Sequence, residues 1–142
     1  MNLADIIEGV CGARPALPYL TAQDVNNVVV DSRAVTPGAV FFAEYSGSRD
    51  GHQFVPDALQ RGAAAVIVEA RAGSAIENIT RVQGGAIVTP LNAGLTPLAI
   101  VVDNTLDALQ RLAAWWRSKM PVKAIGITGS VGKTTSKEII AA

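Results

Sequence analysis

Near its C-terminal end the chain runs Thr128-Gly129-Ser130-Val131-Gly132-Lys133-Thr134-Thr135, at the end of an apolar, β-type stretch over Val122–Thr128. Strand, glycine loop, then Lys-Thr at a helix start is the order in which a backbone cradles nucleotide phosphates. The glycines let successive N–H groups turn inward as an anion-binding nest. Lys133 would reach the β- and γ-phosphates, and the Thr134 hydroxyl would ligate Mg²⁺. A full Walker A motif needs glycine at position 127, where Ile127 stands; Gly126 lies one place early. The plain alternative is a strand–turn–helix corner whose glycines serve the backbone alone.

The elements that would position such a loop follow from periodicity. Leu3, Ile6, Ile7 and Val10 lie at helical spacing, and Gly12 ends that helix. Val25–Val30 is a continuous β-branched run, hence a strand, and it ends in Asp31-Ser32-Arg33. Thr36-Pro37-Gly38 signals a turn into a second strand over Ala39–Tyr45. The polar glycine loop Ser46–His52 leads to a helix over Gln53–Arg61, capped by Gly62, and to a third strand over Ala63–Glu69. That strand–helix–strand unit predicts parallel pairing. Residues 70–97 are punctuated by Gly and Pro; the pattern predicts a short helix over Ser74–Val82 and then an edge hairpin around Ala86–Thr89. Leu98–Val102 reads as another strand. Asn104 is an N-cap with Asp107 three residues on, and Leu106, Leu109, Leu112, Ala113 and Trp116 form the apolar stripe of a helix that Pro121 stops. Trp115 and Trp116 are adjacent and cannot both face one core. A boundary near residues 100–104 divides the chain into units 1–102 and 103–142.

With 142 residues, 49% hydrophobic and 17% charged, the chain can bury a real core as a globular α/β protein. Twelve basic residues balance twelve acidic ones, so the basic excess expected of a nucleic-acid or membrane-surface binder is missing. The single Cys11 excludes an internal disulfide and a cysteine-based metal site. The N-terminus lacks the basic start and long apolar core of a signal peptide, and no run approaches the roughly 18 apolar residues of a membrane span. A cytoplasmic location is expected.

Two motif groups, taken together, resemble the Mur ligases, the ATP-dependent amide ligases of peptidoglycan synthesis. The first comprises Asp31-Ser32-Arg33, Pro37-Gly38, Phe41 or Phe42, Gly47, Asp50-Gly51-His52, Phe54 and Gly62-Ala63-Ala64-Ala65, and looks like the family's N-terminal UDP-binding domain. The second is the glycine loop continued through Ser136-Lys137-Glu138, whose shorter form without the Walker glycine is the family's own. Ser130-Val131 and Lys137-Glu138 resemble the D-alanyl-D-alanine-adding members more than the diaminopimelate- or lysine-adding sisters. Val102-Asp103-Asn104-Thr105-Leu106 fits the same family.

The resemblance implies a small α/β UDP-binding domain with a mixed sheet over 1–102. After it come a linker helix and the first strand, phosphate loop and helix of a truncated ATPase domain. It implies that Asp31, Ser32, Arg33, Asp50, Gly51 and His52 bind the UDP-sugar, with Asp31 orienting Arg33 and Asp50 bracing the loop of His52. Gly129, Ser130, Val131, Gly132, Lys133, Thr134 and Thr135 would bind ATP, with Lys133 and Thr134 catalytic and Thr134 on Mg²⁺. Each residue also has a plain reading: Asp-Ser is a common turn pair, and a lone His is more often a hydrogen-bonded structural residue. The substrates implied are UDP-MurNAc-tripeptide, D-alanyl-D-alanine and ATP, joined through an acyl phosphate by an intact, monomeric enzyme without nucleic-acid or membrane partners. The 142-residue chain alone is expected to be inactive, with its tail from Val122 poorly packed for want of sheet neighbours. The diaminopimelate- or lysine-adding ligase, a non-catalytic nucleotide-sugar-binding module and an unrelated phosphate-loop enzyme remain open alternatives.

Overall fold

The computed structural model describes residues 1–73, 76, 79–87, 97–123, 126, 128–130 and 134. In chain order the elements are helices α1 (Leu3–Cys11) and α2 (Pro18–Thr21), strand β1 (Val28–Val29), a 3₁₀ turn (Ser32–Ala34) and strands β2 (Val40–Phe42), β3 (Tyr45–Ser46) and β4 (Arg49–Asp50). A second 3₁₀ turn (Gly51–Phe54) runs into α3 (Val55–Gln60), followed by β5 (Ala65–Glu69), α4 (Ala70–Gly73), β6 (Thr80–Gln83), β7 (Ala86–Ile87), β8 (Leu98–Val102) and α5 (Thr105–Lys119).

Six strands form one sheet in the order β1-β2-β5-β8-β6-β7, parallel throughout except for the β6–β7 edge hairpin. The two central strands, β5 and β8, are long apolar runs because both faces of a parallel sheet are covered. On one face Phe42, Ile67, Leu98 and Ile100 pack under α1 and α5; on the other Phe41, Val66, Val68 and Ala99 meet Val55 and Ala58 of α3. Among the described residues β3 and β4 pair only with each other, as a hairpin standing off the main sheet.

The expected strand–helix–strand unit is present, with β2 parallel to β5 around α3, and Gly62 leaves α3 at φ 89°. Other expectations are corrected. β1 is shorter than Val25–Val30 and β2 shorter than Ala39–Tyr45, because Glu44 onward turns away into the hairpin. The helix expected over Ser74–Val82 is not there at its later residues, since Thr80–Gln83 is strand β6, drawn into the sheet beside β8; residues 74, 75, 77 and 78 lie outside the described residues. The edge hairpin is found at β6–β7.

The stripe on α5 is also rotated from the expected one. Thr105, Ala108 and Leu112 are buried, whereas Leu106 and Trp116 are exposed. Trp115 is the inward indole, and it donates to Glu8 Oε1 of α1 at 3.2 Å. The reason is the close approach of α1, where Gly9 leaves so little space that a Cβ there would stand 2.6 Å from Leu112 Cδ1. The Asn104 side chain caps α5 from Asp107 N–H at 2.9 Å, and a full reciprocal capping box stands at the other end of the fold, between Asn2 and Asp5. The strand expected over 122–128 is not formed at its described residues: Val122, Lys123, Gly126 and Thr128 are exposed and irregular. Among the described residues no strand lies beside them to take up their backbone groups.

Candidate functional site

At the carboxyl ends of β1 and β2 the chain leaves the sheet in two loops, and a cleft of about 490 Å³ opens between them. Val30, Asp31, Ser32 and Arg33 line it from the first loop, and Glu44, Ser46, Arg49, Gly51 and Phe54 from the second. Open α/β sheets place ligand sites at this end because the connecting loops there are free to vary while the strands hold them.

The first loop is shaped by Asp31. Its carboxylate caps the 3₁₀ turn by accepting from Arg33 N–H at 3.0 Å, and grips the Arg33 guanidinium through Nε (3.0 and 3.2 Å) and Nη2 (2.7 Å). That side-chain pairing, reinforced by the backbone bond and by the charges of Arg33 and Arg49, pulls the Asp31 carboxyl down to about 2. The pair uses the Nε–Nη2 edge of the guanidinium, on a side chain that is 81% exposed and lines the cleft. Ser32 is buried; its hydroxyl bonds Asp57 in the first turn of α3, and this, with Arg61, holds the Asp57 carboxyl below the usual carboxylate range.

The second loop is seated by Gly51. Its N–H donates to Glu44 O at 2.8 Å, and a Cβ at this position would stand 2.5 Å from that same oxygen. Only glycine fits there. Asp50 Oδ1 accepts from both the backbone N–H (3.0 Å) and Nδ1 (2.6 Å) of His52. His52 Nε2 in turn accepts from Glu69 N–H at 2.9 Å, at the end of β5. This pattern assigns the neutral tautomer with the proton on Nδ1. The imidazole is 7% exposed and neither of its nitrogens is open to a ligand.

Of the six residues expected to contact a nucleotide-sugar, Asp31, Ser32, Arg33 and Gly51 line the cleft, whereas Asp50 and His52 stand behind it as a brace. Five lining residues escaped the sequence reading as site residues: Val30, Glu44, Ser46, Arg49 and Phe54. For Arg49 and Ser46 the available signal was a cation and a hydroxyl flanking Gly47 in a polar loop. For Phe54 it was an aromatic exposed by 39% just before a helix.

The cleft presents two guanidiniums, the Ser46 hydroxyl, an exposed aromatic ring and the carboxylates of Glu44 and Asp31, the latter already paired with Arg33. Arginines read phosphate oxygens in pairs, a ring takes a planar group on its face, and a carboxylate accepts from N–H donors. The set suits binding of a phosphorylated ligand with a polar ring.

In the phosphate loop, Gly129, Ser130 and Thr134 are exposed, while Val131, Gly132, Lys133 and Thr135 lie outside the described residues, as do Lys137 and Glu138. The exposed Thr134 hydroxyl can offer one oxygen of the roughly six that Mg²⁺ takes, phosphate and water oxygens supplying the rest, so the donor chemistry fits the ion.

The sequence profile described as the Mur ligase family, catalytic domain, matches residues 24–117. A UDP-N-acetylmuramoyl-tripeptide–D-alanyl-D-alanine ligase from Synechocystis sp. is 39% identical over 118 residues, 83% of this chain and 22% of that protein. A UDP-N-acetylmuramoyl-L-alanyl-D-glutamate–2,6-diaminopimelate ligase from Solibacter usitatus is 47% identical over 136 residues, 96% of this chain and 24% of that protein. Among solved structures, a MurF ligase from Thermotoga maritima in complex with ADP superposes with a TM-score of 0.56 and 31% identity, over 80% of this chain and 22% of that one. The chain spans about a quarter of the length of the curated relatives it matches.

Proposed function

The chain belongs to the Mur ligase family, and from that premise we propose that it supplies the UDP-sugar-binding unit (1–102) and the opening of the ATP-binding unit (103–142) of a D-alanyl-D-alanine-adding ligase. The observation that carries the reading is the cleft between the Asp31–Arg33 and Glu44–Phe54 loops, whose paired arginines and aromatic ring suit a uridine diphosphate. Arg33 and Arg49 receive the pyrophosphate. The Phe54 face and the Glu44 carboxylate are matched to a pyrimidine and its N–H edge. Most of the relatives named for one activity are D-alanyl-D-alanine-adding ligases.

In the complete enzyme, Mg²⁺-ATP would supply the phosphoryl group that converts the peptide carboxylate of UDP-MurNAc-tripeptide to an acyl phosphate, releasing ADP; the D-alanyl-D-alanine amine then displaces phosphate to form the amide. This chain's contribution to that step is charge and position. Lys133 neutralises the γ-phosphate and the Thr134 hydroxyl fixes the ion beside it. Lys133→Ala in a complete ligase carrying this chain should abolish most ligation while leaving UDP-sugar affinity unchanged. On this reading the intact enzyme works in the cytoplasm as a monomer, and this chain taken alone binds the UDP-sugar without catalysing ligation.

Calorimetry on the 142-residue chain tests the binding half. UDP-MurNAc-tripeptide and UDP should bind, and Arg33→Ala should weaken both by about tenfold or more, as loss of a charge-assisted hydrogen bond predicts. No heat with either ligand at millimolar concentration refutes it. A second reading, the diaminopimelate-adding activity, is favoured by the 47% identity to the Solibacter usitatus protein. Ligation of diaminopimelate to UDP-MurNAc-dipeptide, with none of D-alanyl-D-alanine to the tripeptide, would establish it instead.

A further inference from the structure

The β3–β4 hairpin has two faces with different partners. Ser46 and Arg49, which pair across it, line the cleft, whereas the neighbouring pair Tyr45 and Asp50 does not. Successive residues of a strand point to opposite sides, so the 46/49 pair faces the ligand site and the 45/50 pair faces away from it. A lone two-stranded hairpin is marginally stable in water, and this one joins no other strand among the described residues. Something outside the sheet must hold it.

The outward pair is where it is held. Asp50 Oδ1 takes two bonds from His52, and Asp50 Oδ2 lies 3.6 Å from Arg71 Nη1. Arg71 also donates from Nε to Glu69 Oε2 at 2.8 Å, and its guanidinium lies 4.4 Å over the Tyr45 ring. The same arginine thus touches both members of the cross-strand pair. His52 Nε2 accepts from the Glu69 backbone N–H, so both fastenings end on the last residue of β5, in the rigid centre of the sheet.

We propose that His52 and Arg71 are positioning residues, gripping opposite oxygens of Asp50 to set Ser46 and Arg49 as the fixed wall of the cleft. The proposal rests on the reading of that cleft as a UDP site. Neither residue touches the ligand; each acts by keeping Arg49 from swinging away, so that ligand binding spends little on ordering the loop.

The test reads hairpin order and affinity separately, in the 142-residue chain with UDP as the probe. In ligand-free protein, Arg71→Met and His52→Ala should speed amide exchange at Ser46, Gly47 and Arg49 by about fivefold to tenfold, the factor expected of a lost ion pair and cation–π contact at Arg71 and of a lost hydrogen bond at His52, with β8 amides unchanged. UDP affinity should fall by a similar factor, and His52→Gln, which keeps an acceptor for Glu69 N–H and a donor for Asp50, should restore most of both. Unchanged hairpin exchange in Arg71→Met overturns the clasp, even where UDP still binds and Arg33→Ala still weakens binding. Weakened UDP binding with no change in exchange makes His52 a direct contact and equally overturns it. If His52→Ala exposes β8 as well, Arg71→Met decides alone. If the unaltered chain binds no UDP, the function proposed for the cleft fails, and the exchange data still judge the clasp.

Discussion

Replacing Gly51 by alanine should destabilise this fold, because the added methyl group would meet fixed backbone. The added Cβ would stand 2.5 Å from Glu44 O, 2.8 Å from Glu44 N and 3.0 Å from Ala43 C. All three are backbone atoms, so no side chain can swing aside. Gly51 does not adopt a positive φ, so alanine carries no backbone strain there and should gain about 0.4–1 kcal/mol by restricting the unfolded chain. Against that stand overpacking, about 1–3 kcal/mol, and loss of the Gly51 N–H to Glu44 O bond, about 0.5–1.5 kcal/mol. The net is a destabilisation of about 2 kcal/mol, which lowers Tm by about 5–10 °C in a domain of this size. Because the displaced loop carries Arg49 and Phe54, UDP affinity should fall as well. Circular-dichroism melts with Gly126→Ala as control, where a Cβ meets nothing within 4 Å, measure the difference directly. A Gly51→Ala protein melting within a degree of that control, with unaltered UDP affinity, would refute the steric argument and the placement of the loop.

Arg33→Ala should return the Asp31 carboxyl from about 2 toward its ordinary 3.8, read from a ¹³C carboxyl titration. Since the folded-state value is depressed, the pair's contribution to stability is complete above about 4 and fades as pH falls through about 2, so the variant's stability should be flatter than the parent's across that window. Gly9→Val should destabilise the chain by about 1–3 kcal/mol and red-shift Trp115 emission, because α1 can no longer lie against Leu112 and Trp115; unchanged melting and emission would count against that packing. Trp115→Phe removes the donor to Glu8 and should cost about 1 kcal/mol in urea denaturation, whereas Trp116→Phe, on an exposed ring, should cost almost nothing.

The sequence by itself determined the parallel α/β plan and the family. Residues 65–68 and Leu98–Val102 are apolar throughout because a strand covered on both faces has no solvent side to alternate toward, and that property is written in residue types. The motifs Asp31-Ser32-Arg33 and Asp50-Gly51-His52 were legible in part because their capping carboxylates act two residues from themselves. Tertiary structure alone decided what those residues face. The α5 stripe was read one position out of phase because the face it buries is set by Gly9 on a helix a hundred residues away, and no local period encodes that. His52 was given to the ligand by the family resemblance, but its imidazole is filled on both sides, and one partner is the backbone of Glu69, whose N–H has no sequence signature. Arg49 and Phe54 meet at the cleft only in the folded chain, where the hairpin turns off the sheet after β2 and Arg71 lies against its Tyr45 and Asp50. Chemistry confined to neighbours in the chain is readable in the chain; chemistry made between its distant parts exists only once they are packed.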